Sequence, residues 1–338
     1  MSLPTRPLGR TGLEITTVGF GAWAIGGPWA FGWGPQDDDA SIAAIHHAIS
    51  RGVNWIDTAA VYGLGHSEEV VGRALRELPE GDRPLVFTKC GLIWDESRPD
   101  AAPDRVLAPD SIRRECEASL RRLGVERIDL YQFHWPDRSG VPVEESWGTM
   151  LELISEGKVR AGGVSNFDVA LLERCEAVGH VGSLQPPFSL IERTAGGAEI
   201  PWCREHETGV IVYSPMQSGL LTGRWTRERS ATLDPGDWRA KDAEFQGERL
   251  ERNLALADAL RPVADRHSVS VAAVAVAWTI AWPGVTAAIV GARSPEQVDG
   301  WIPAAGLELT DADLEEIATA VEATGAGQGP VRPAVEPA

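Results

Sequence analysis

The chain has 338 residues, enough for two ordinary domains or one large barrel, and 43% of them are hydrophobic, which allows a substantial core. Its formal net charge of -18, with no basic block in the acidic background, argues against a nucleic-acid or anionic-membrane partner. No signal-peptide core, no run of about 18 apolar residues and no CxxC pair among Cys90, Cys116, Cys175 and Cys203 is visible, so the expectation is a cytoplasmic protein with reduced thiols.

Residues 6–17 read as a hairpin turning through Gly9-Arg10-Thr11-Gly12. From Val18 onwards short apolar runs alternate with amphipathic stretches. Helices are expected at 38–51, 67–78, 110–123, 143–157, 168–178, 198–207, 248–267 and 270–282, and strands at 18–22, at 287–290 and ending near Asp57, Lys89, His134, Val164, Gln185 and Tyr213. Eight strands separated by helices predict a parallel (β/α)8 TIM barrel, with the hairpin as a cap and extra C-terminal helices. An open doubly wound sheet is the rival, but its GxGxxG fingerprint fails: Gly19-Phe20-Gly21 begins it and Ala24 stands at the third glycine. Residues 1–324 are expected to form a single barrel domain. Within it, 224–247, with Pro235 and Gly236, reads as a mobile loop; 325–338, rich in Gly, Pro and Ala, reads as a disordered tail.

Three consecutive β-runs end on ionisable groups, Asp57, Lys89 and His134, and Tyr62 lies just past the first. Active sites of parallel α/β folds assemble at these carboxyl ends. Lysine beside Tyr62 is expected to lower the tyrosine pKa and ease proton donation, with Asp57 neutralising Lys89 and His134 orienting a carbonyl oxygen. Each residue alone is as well explained by an ion pair, a packed aromatic or a hydrogen-bonded core histidine; the joint pattern is not. Proton donation to a carbonyl is half of a reduction, and the hydride requires a cofactor.

Arg51 to Gly63 with Ser67-Glu68, then Leu120 to Tyr131 with His134, then Gly157-Lys158-Val159-Arg160, Gly163 to Phe167, Tyr213-Ser214-Pro215 with Gly219 to Gly223, and Ile289 to Gln297, resemble in order the motifs of the aldo-keto reductase superfamily. The resemblance covers roughly residues 5–322. It implies a barrel reductase that binds NADPH, with Asp57, Tyr62, Lys89 and His134 as catalytic tetrad. It also implies cofactor contacts from Gly21, Trp23, Asp57, Ser165, Asn166 and Gln185, the last three at the nicotinamide carboxamide, with Tyr213 stacked on the ring. Ser214, Pro215, Gly219, Leu220, Gly223 and Arg224 match the pyrophosphate loop, and Gly291, Arg293 and Gln297 the late cofactor motif. Gly162 stands where a bulkier apolar residue is common, predicting a looser fifth strand.

Ser294-Pro295-Glu296-Gln297 reads as a helix start, with Ser at N-cap and Pro at N1, where free N–H groups and Arg293 suit a phosphate. Trp23, Trp29, Phe31, Trp33, Trp94 and Trp135 fall near the catalytic rim and predict an aromatic-walled pocket for an apolar or planar carbonyl, not a highly charged one. No spacing supports a metal site. The expected reaction is NADPH-dependent reduction of an aldehyde or ketone. The alternatives are an NADP-dependent alcohol or sugar dehydrogenase and a cofactor-binding regulatory subunit resembling potassium-channel β subunits; the oligomeric state stays open.

Overall fold

The computed structural model describes residues 3–234 and 237–334. β1 (Thr5–Pro7) and β2 (Glu14–Thr16) pair as the antiparallel hairpin. The barrel strands are β3 (Val18–Gly21), β4 (Trp55–Asp57), β5 (Leu85–Cys90), β8 (Ile128–Phe133), β9 (Val159–Ser165), β10 (Ser183–Gln185), β11 (Gly209–Val212) and β12 (Ala287–Gly291). Each pairs in parallel with the next and β12 returns to β3, closing an eight-stranded barrel. Between β5 and β8 a small antiparallel ladder, β6 (Leu92–Ile93) with β7 (Asp104–Arg105), adds an element the sequence pattern did not announce.

The helices are α1 (Asp38–Ser50), α2 (His66–Arg76), α3 (Pro109–Leu123), α4 (Val143–Ser155), α5 (Val169–Glu176), α6 (Glu199–Glu205), α7 (Arg227–Ala231), α8 (Gly247–Ala259), α9 (Arg261–Arg266), α10 (Val271–Ala281), α11 (Pro295–Trp301) and α12 (Asp311–Thr324). Local chemistry sets their ends. Pro starts α3 and Gly124, at φ 68°, stops it. Thr310 and Asp313 form a reciprocal capping box on α12. The single helix expected over 248–267 is broken into α8 and α9, because Pro262 cannot donate the backbone bond that continuity requires. None of the helices among the described residues is long and apolar enough to cross a membrane.

Strands covered on both faces are apolar almost throughout, which is why the runs read as continuous and not alternating. Inside the barrel, Trp55, Phe87, Leu130, Ala161, Ile211, Ala287 and Ile289 pack with Leu8, Leu13 and Ile15 of the hairpin, which plugs one end. Arg10 N–H bonds the Glu207 carbonyl just before β11, so the plug closes the amino ends of the strands and leaves the carboxyl ends for the site. At Gly162 the expected looseness is absent. An added Cβ would come within 2.7 Å of Met150 and 3.2 Å of Trp147, so helix α4 already fills the space a larger residue would need.

Two irregular segments carry contacts of their own. Residues 325–334 are not a free tail: Gln328 donates to the Ile191 carbonyl, Arg193 bonds the carbonyls of Ala326 and Gly329, and Arg332 pairs with Glu315 and Glu322. The expectation for 335–338 lies outside the described residues. Within 224–247, α7 and two short 3-10 turns are anchored by buried Trp225 and Phe245; Pro235 and Gly236 lie outside the described residues.

One half-buried acid behind the barrel wall, Glu115, carries a stability prediction. The Glu115 carboxyl accepts from Gly91 N–H at 2.9 Å and from Ser111 Oγ at 3.2 Å, and burial pushes its pKa up from 4.5 to about 7. Folding therefore strengthens proton binding, so the contribution of this group to stability is intact below the unfolded value and is lost as pH rises towards 7. The loss is at most about 3 kcal/mol. Glu115→Gln is expected to raise the melting temperature relative to wild type at pH 8 and to lose that advantage near pH 4.5. A difference independent of pH would show that the carboxyl is solvated.

Candidate active site

Asp57 ends β4, Lys89 is the penultimate residue of β5, and His134 follows β8 directly. Because β4, β5 and β8 are neighbours, barrel closure sets the three side by side. Tyr62 hangs in the loop after β4. That loop is held by Ser67, whose N–H bonds the Tyr62 carbonyl and whose Oγ donates to the Ala22 carbonyl at 2.9 Å. Gly63 follows at φ 62°, where an added Cβ would lie 1.8 Å from the Gly26 carbonyl oxygen; only glycine lets the loop approach β3's extension so closely.

Lys89 is fully buried. Its Nζ donates to Asp57 Oδ1 at 2.5 Å, to the Thr58 carbonyl at 2.8 Å and, more weakly, to Tyr62 Oη at 3.4 Å. Desolvation pulls its pKa below the usual lysine value, with Asp57 and Glu68 opposing. The expected lowering of the Tyr62 pKa is corrected by the structure. Burial and then the charge of Asp57 drive it well above its ordinary value, because both disfavour the phenolate. Tyr62 is thus held as the neutral, proton-bearing form. Burial, with the charges of Lys89 and Arg105, drives His134 well below its ordinary value, so its imidazole is neutral and one ring nitrogen carries a donor. The Tyr62 and His134 rings meet edge to face with centroids 5.6 Å apart.

A residue absent from the sequence reading completes this network. Gln132 is buried, and its Nε2 lies 3.4 Å from Asp57 Oδ2, which also accepts from Gln185 Nε2 at 2.9 Å. Gln185 Nε2 reaches Gln132 Oε1 at 3.2 Å as well. The signal was available: Gln132 is two residues before His134, hence on the same face of the strand, and pairs in register with Lys89.

The expected cofactor residues fall into groups. Gly21 pairs with Gly291 on one side and Asp57 on the other, so all three adjoin at the rim. Asn166, in the left-handed region at φ 62°, donates to the His134 carbonyl at 2.9 Å and to Ser165 Oγ at 3.0 Å, and accepts from Tyr213 Oη at 2.9 Å. Ser165 Oγ donates to the Gln185 carbonyl. Ser214, Gln217, Ser218 and Gly219 all have positive φ, the kind of backbone that turns several N–H groups to one side. Leu220 differs: its side chain is fully buried in the core and offers no contact to a ligand. Pro215 is also buried and Arg224 is exposed. Gln297 accepts from the Arg293 N–H at 2.8 Å, fixing the backbone there, whereas Ser294 caps α11 without a side-chain bond.

The rim aromatics lie in contact with one another. Trp29, Tyr62, Trp94 and Trp135 pack around Ala59, Val61 and Leu92, Trp23 lies 5.3 Å from Trp33, and Trp29 lies 5.6 Å from half-exposed Phe31. Trp238 was not foreseen. Carried in by the 224–247 segment, it stacks on Trp23 at 5.6 Å, and its neighbour Arg239 lies over Trp33 at 4.4 Å. No metal-holding cluster of His, Cys, Asp or Glu exists among the described residues.

The closed parallel barrel thus gathers the Lys89–Asp57 pair, Tyr62 and His134 at its carboxyl rim. The profile of the Aldo/keto reductase family matches residues 17–322, and the chain belongs to that family and is an oxidoreductase. It is 38% identical to aldo-keto reductase YhdN of Bacillus subtilis over 315 residues, covering 93% of this chain and 92% of that one. It is 36% identical to the NADH-specific methylglyoxal reductase of Escherichia coli over 327 residues, covering 94% and 98%. Among solved structures, the glycerol dehydrogenase AKR11B4 from Gluconobacter oxydans superposes with a TM-score of 0.88 at 38% identity, covering all of both chains.

Proposed function

We propose that this protein reduces an aldehyde or ketone to the alcohol with NADPH, Tyr62 supplying the proton. The observation that carries the reading is the Tyr62 hydroxyl 3.4 Å from the buried Lys89 Nζ, which is itself bonded to Asp57. The residues fit a nicotinamide cofactor. Among the described residues Gln185 Oε1 accepts no bond, Asn166 and Ser165 form a polar shelf beside it, and the left-handed turn at 214–219 suits a diphosphate. When bound, the nicotinamide supplies the hydride.

The remaining work falls to side chains. Neutral His134 and Tyr62 donate hydrogen bonds to the carbonyl oxygen, fixing it and stabilising the charge that develops there. The Tyr62 proton passes to that oxygen, and the nascent phenolate is held by Lys89, whose charge Asp57 keeps in place. The rim tryptophans exclude water and cover a planar substrate.

One observation favours NADH instead. Arg293 gives its Nη2 to the Pro35 carbonyl and its Nε to Gln36 Oε1, leaving mainly Nη1, whose contact with the Trp33 carbonyl is 3.5 Å long. The Escherichia coli relative is NADH-specific by name, and the Gluconobacter one is a dehydrogenase. The cofactor test is direct. If Arg293 reads the ribose phosphate, Arg293→Ala weakens NADPH by about 1.5–3 kcal/mol and leaves NADH nearly unchanged, as measured by fluorescence quenching. Equal losses, or a wild-type preference for NADH, overturn the NADPH reading. Following cofactor absorbance with a panel of aldehydes tests the reaction itself; binding without turnover would indicate a regulatory subunit.

A further inference from the structure

The mouth of the site holds a cation that the reaction just described does not use. Arg105 ends the β6–β7 ladder opposite Leu92, which packs with Tyr62, Trp94 and Trp135. Its guanidinium lies over the Trp135 ring, 4.0 Å from the centroid, and Trp135 directly follows His134. Arg105 is also one of the charges acting on His134, so it stands within electrostatic reach of the group that orients the carbonyl.

Some arginines of this chain sit on acids, as Arg98 does on Asp95, Arg113 on Glu152 and Glu156, and Arg174 on Glu144, while Arg6 and Arg293 bond backbone carbonyls. Among the described residues Arg105 makes no ion pair and no side-chain hydrogen bond, and the charged neighbour acting on it is Arg138, of the same sign. On a chain with 49 acidic residues against 31 basic ones, this part-buried arginine is a local cation beside His134. Stacking on an indole face orients the guanidinium while its edge keeps N–H donors for a ligand.

We propose that Arg105 is the specificity-determining residue for a carbonyl substrate bearing one oxyanionic group, a carboxylate or a phosphate monoester, whose planar body lies between the rim tryptophans. This rests on the reductase reading above and narrows its substrate class: the aromatic walls take the body and the guanidinium takes the single charge. Two donors on a planar fork match either oxyanion.

The test compares 4-carboxybenzaldehyde with benzaldehyde, each assayed with NADPH and with NADH. The wild-type ratio of kcat/KM, carboxylated over neutral, is expected to exceed one and to fall as salt is raised, since only the charged substrate is drawn by Arg105. Arg105→Gln is expected to lower that ratio about ten- to hundred-fold, the span for a hydrogen bond to a charged group. Arg105→Lys retains part of it, and Arg105→Glu reverses the preference towards an aldehyde bearing a trimethylammonium group. A ratio that does not change between wild type and Arg105→Gln, or a wild-type ratio insensitive to salt, overturns the assignment while the reductase reading stands. Failure to reduce either aldehyde with either cofactor overturns both.

Discussion

Tyr62→Phe is expected to lower kcat for carbonyl reduction by about a hundred- to ten-thousand-fold, equivalent to about 3–5 kcal/mol of transition-state stabilisation, while cofactor affinity changes little. Phenylalanine fills the same space beside Trp23, Trp29 and His134, so packing survives and only the transferable proton is lost. His134 stays neutral at physiological pH and remains a hydrogen-bond donor, but as a neutral imidazole it is a far weaker acid than the imidazolium and does not replace the phenol. Because the Tyr62 pKa is driven up, the donor stays protonated across the physiological range; wild-type activity should show no loss on the alkaline side attributable to it until well above pH 10. Pre-steady-state measurement of the chemical step checks the variant. Near-normal turnover would show that water or another group carries the proton.

Lys89→Met is expected to be nearly as damaging to turnover and far more damaging to stability. The lysine side chain is 0% exposed and the aspartate 4%, so its removal leaves a buried carboxylate facing only the carboxamides of Gln132 and Gln185. Removing one partner of a buried pair costs about 3–5 kcal/mol, because the surviving charge has lost its compensation. Adding Asp57→Asn to Lys89→Met should recover much of the stability and none of the turnover, which separates the cost of burial from the loss of chemistry. Groups that act as a unit are non-additive, so Lys89→Met combined with Tyr62→Phe should be little slower than either alone. Denaturant titration and single-turnover rates measure the two effects; an additive double variant would show that Lys89 does not act through Tyr62.

The barrel was legible because its information is local. Alternating apolar runs and amphipathic stretches state the order of strands and helices, and strand order with right-handed crossovers leaves little choice of topology. Where local signals were weak, expectation departed from structure. The amphipathic pattern runs on through Pro262 although the ring interrupts the helix there, and the Gly- and Pro-rich segment 325–334 has no periodic pattern, yet Gln328 and Arg332 tie it to distant partners. Gly162 could not be judged without knowing that Met150 and Trp147 lean over it.

The tetrad residues could be picked out for a related reason: an ionisable side chain at the end of a buried strand is costly in solvation and stands out against apolar neighbours. By itself, then, the sequence determined the barrel, the rim on which the site lies and the residue types placed there. Only the tertiary structure decided how those residues behave. The upward shift of the Tyr62 pKa comes from burial and from the charge of Asp57, which act together once the barrel has closed. The grip of Gln132 and Gln185 on Asp57, the stacking of Trp238 on Trp23 and the seat of Arg105 on Trp135 all join residues far apart in the chain. Such contacts and the desolvation that accompanies them exist only once the barrel has closed, since proximity, burial and dielectric environment are properties of the folded volume and not of any local run of residues.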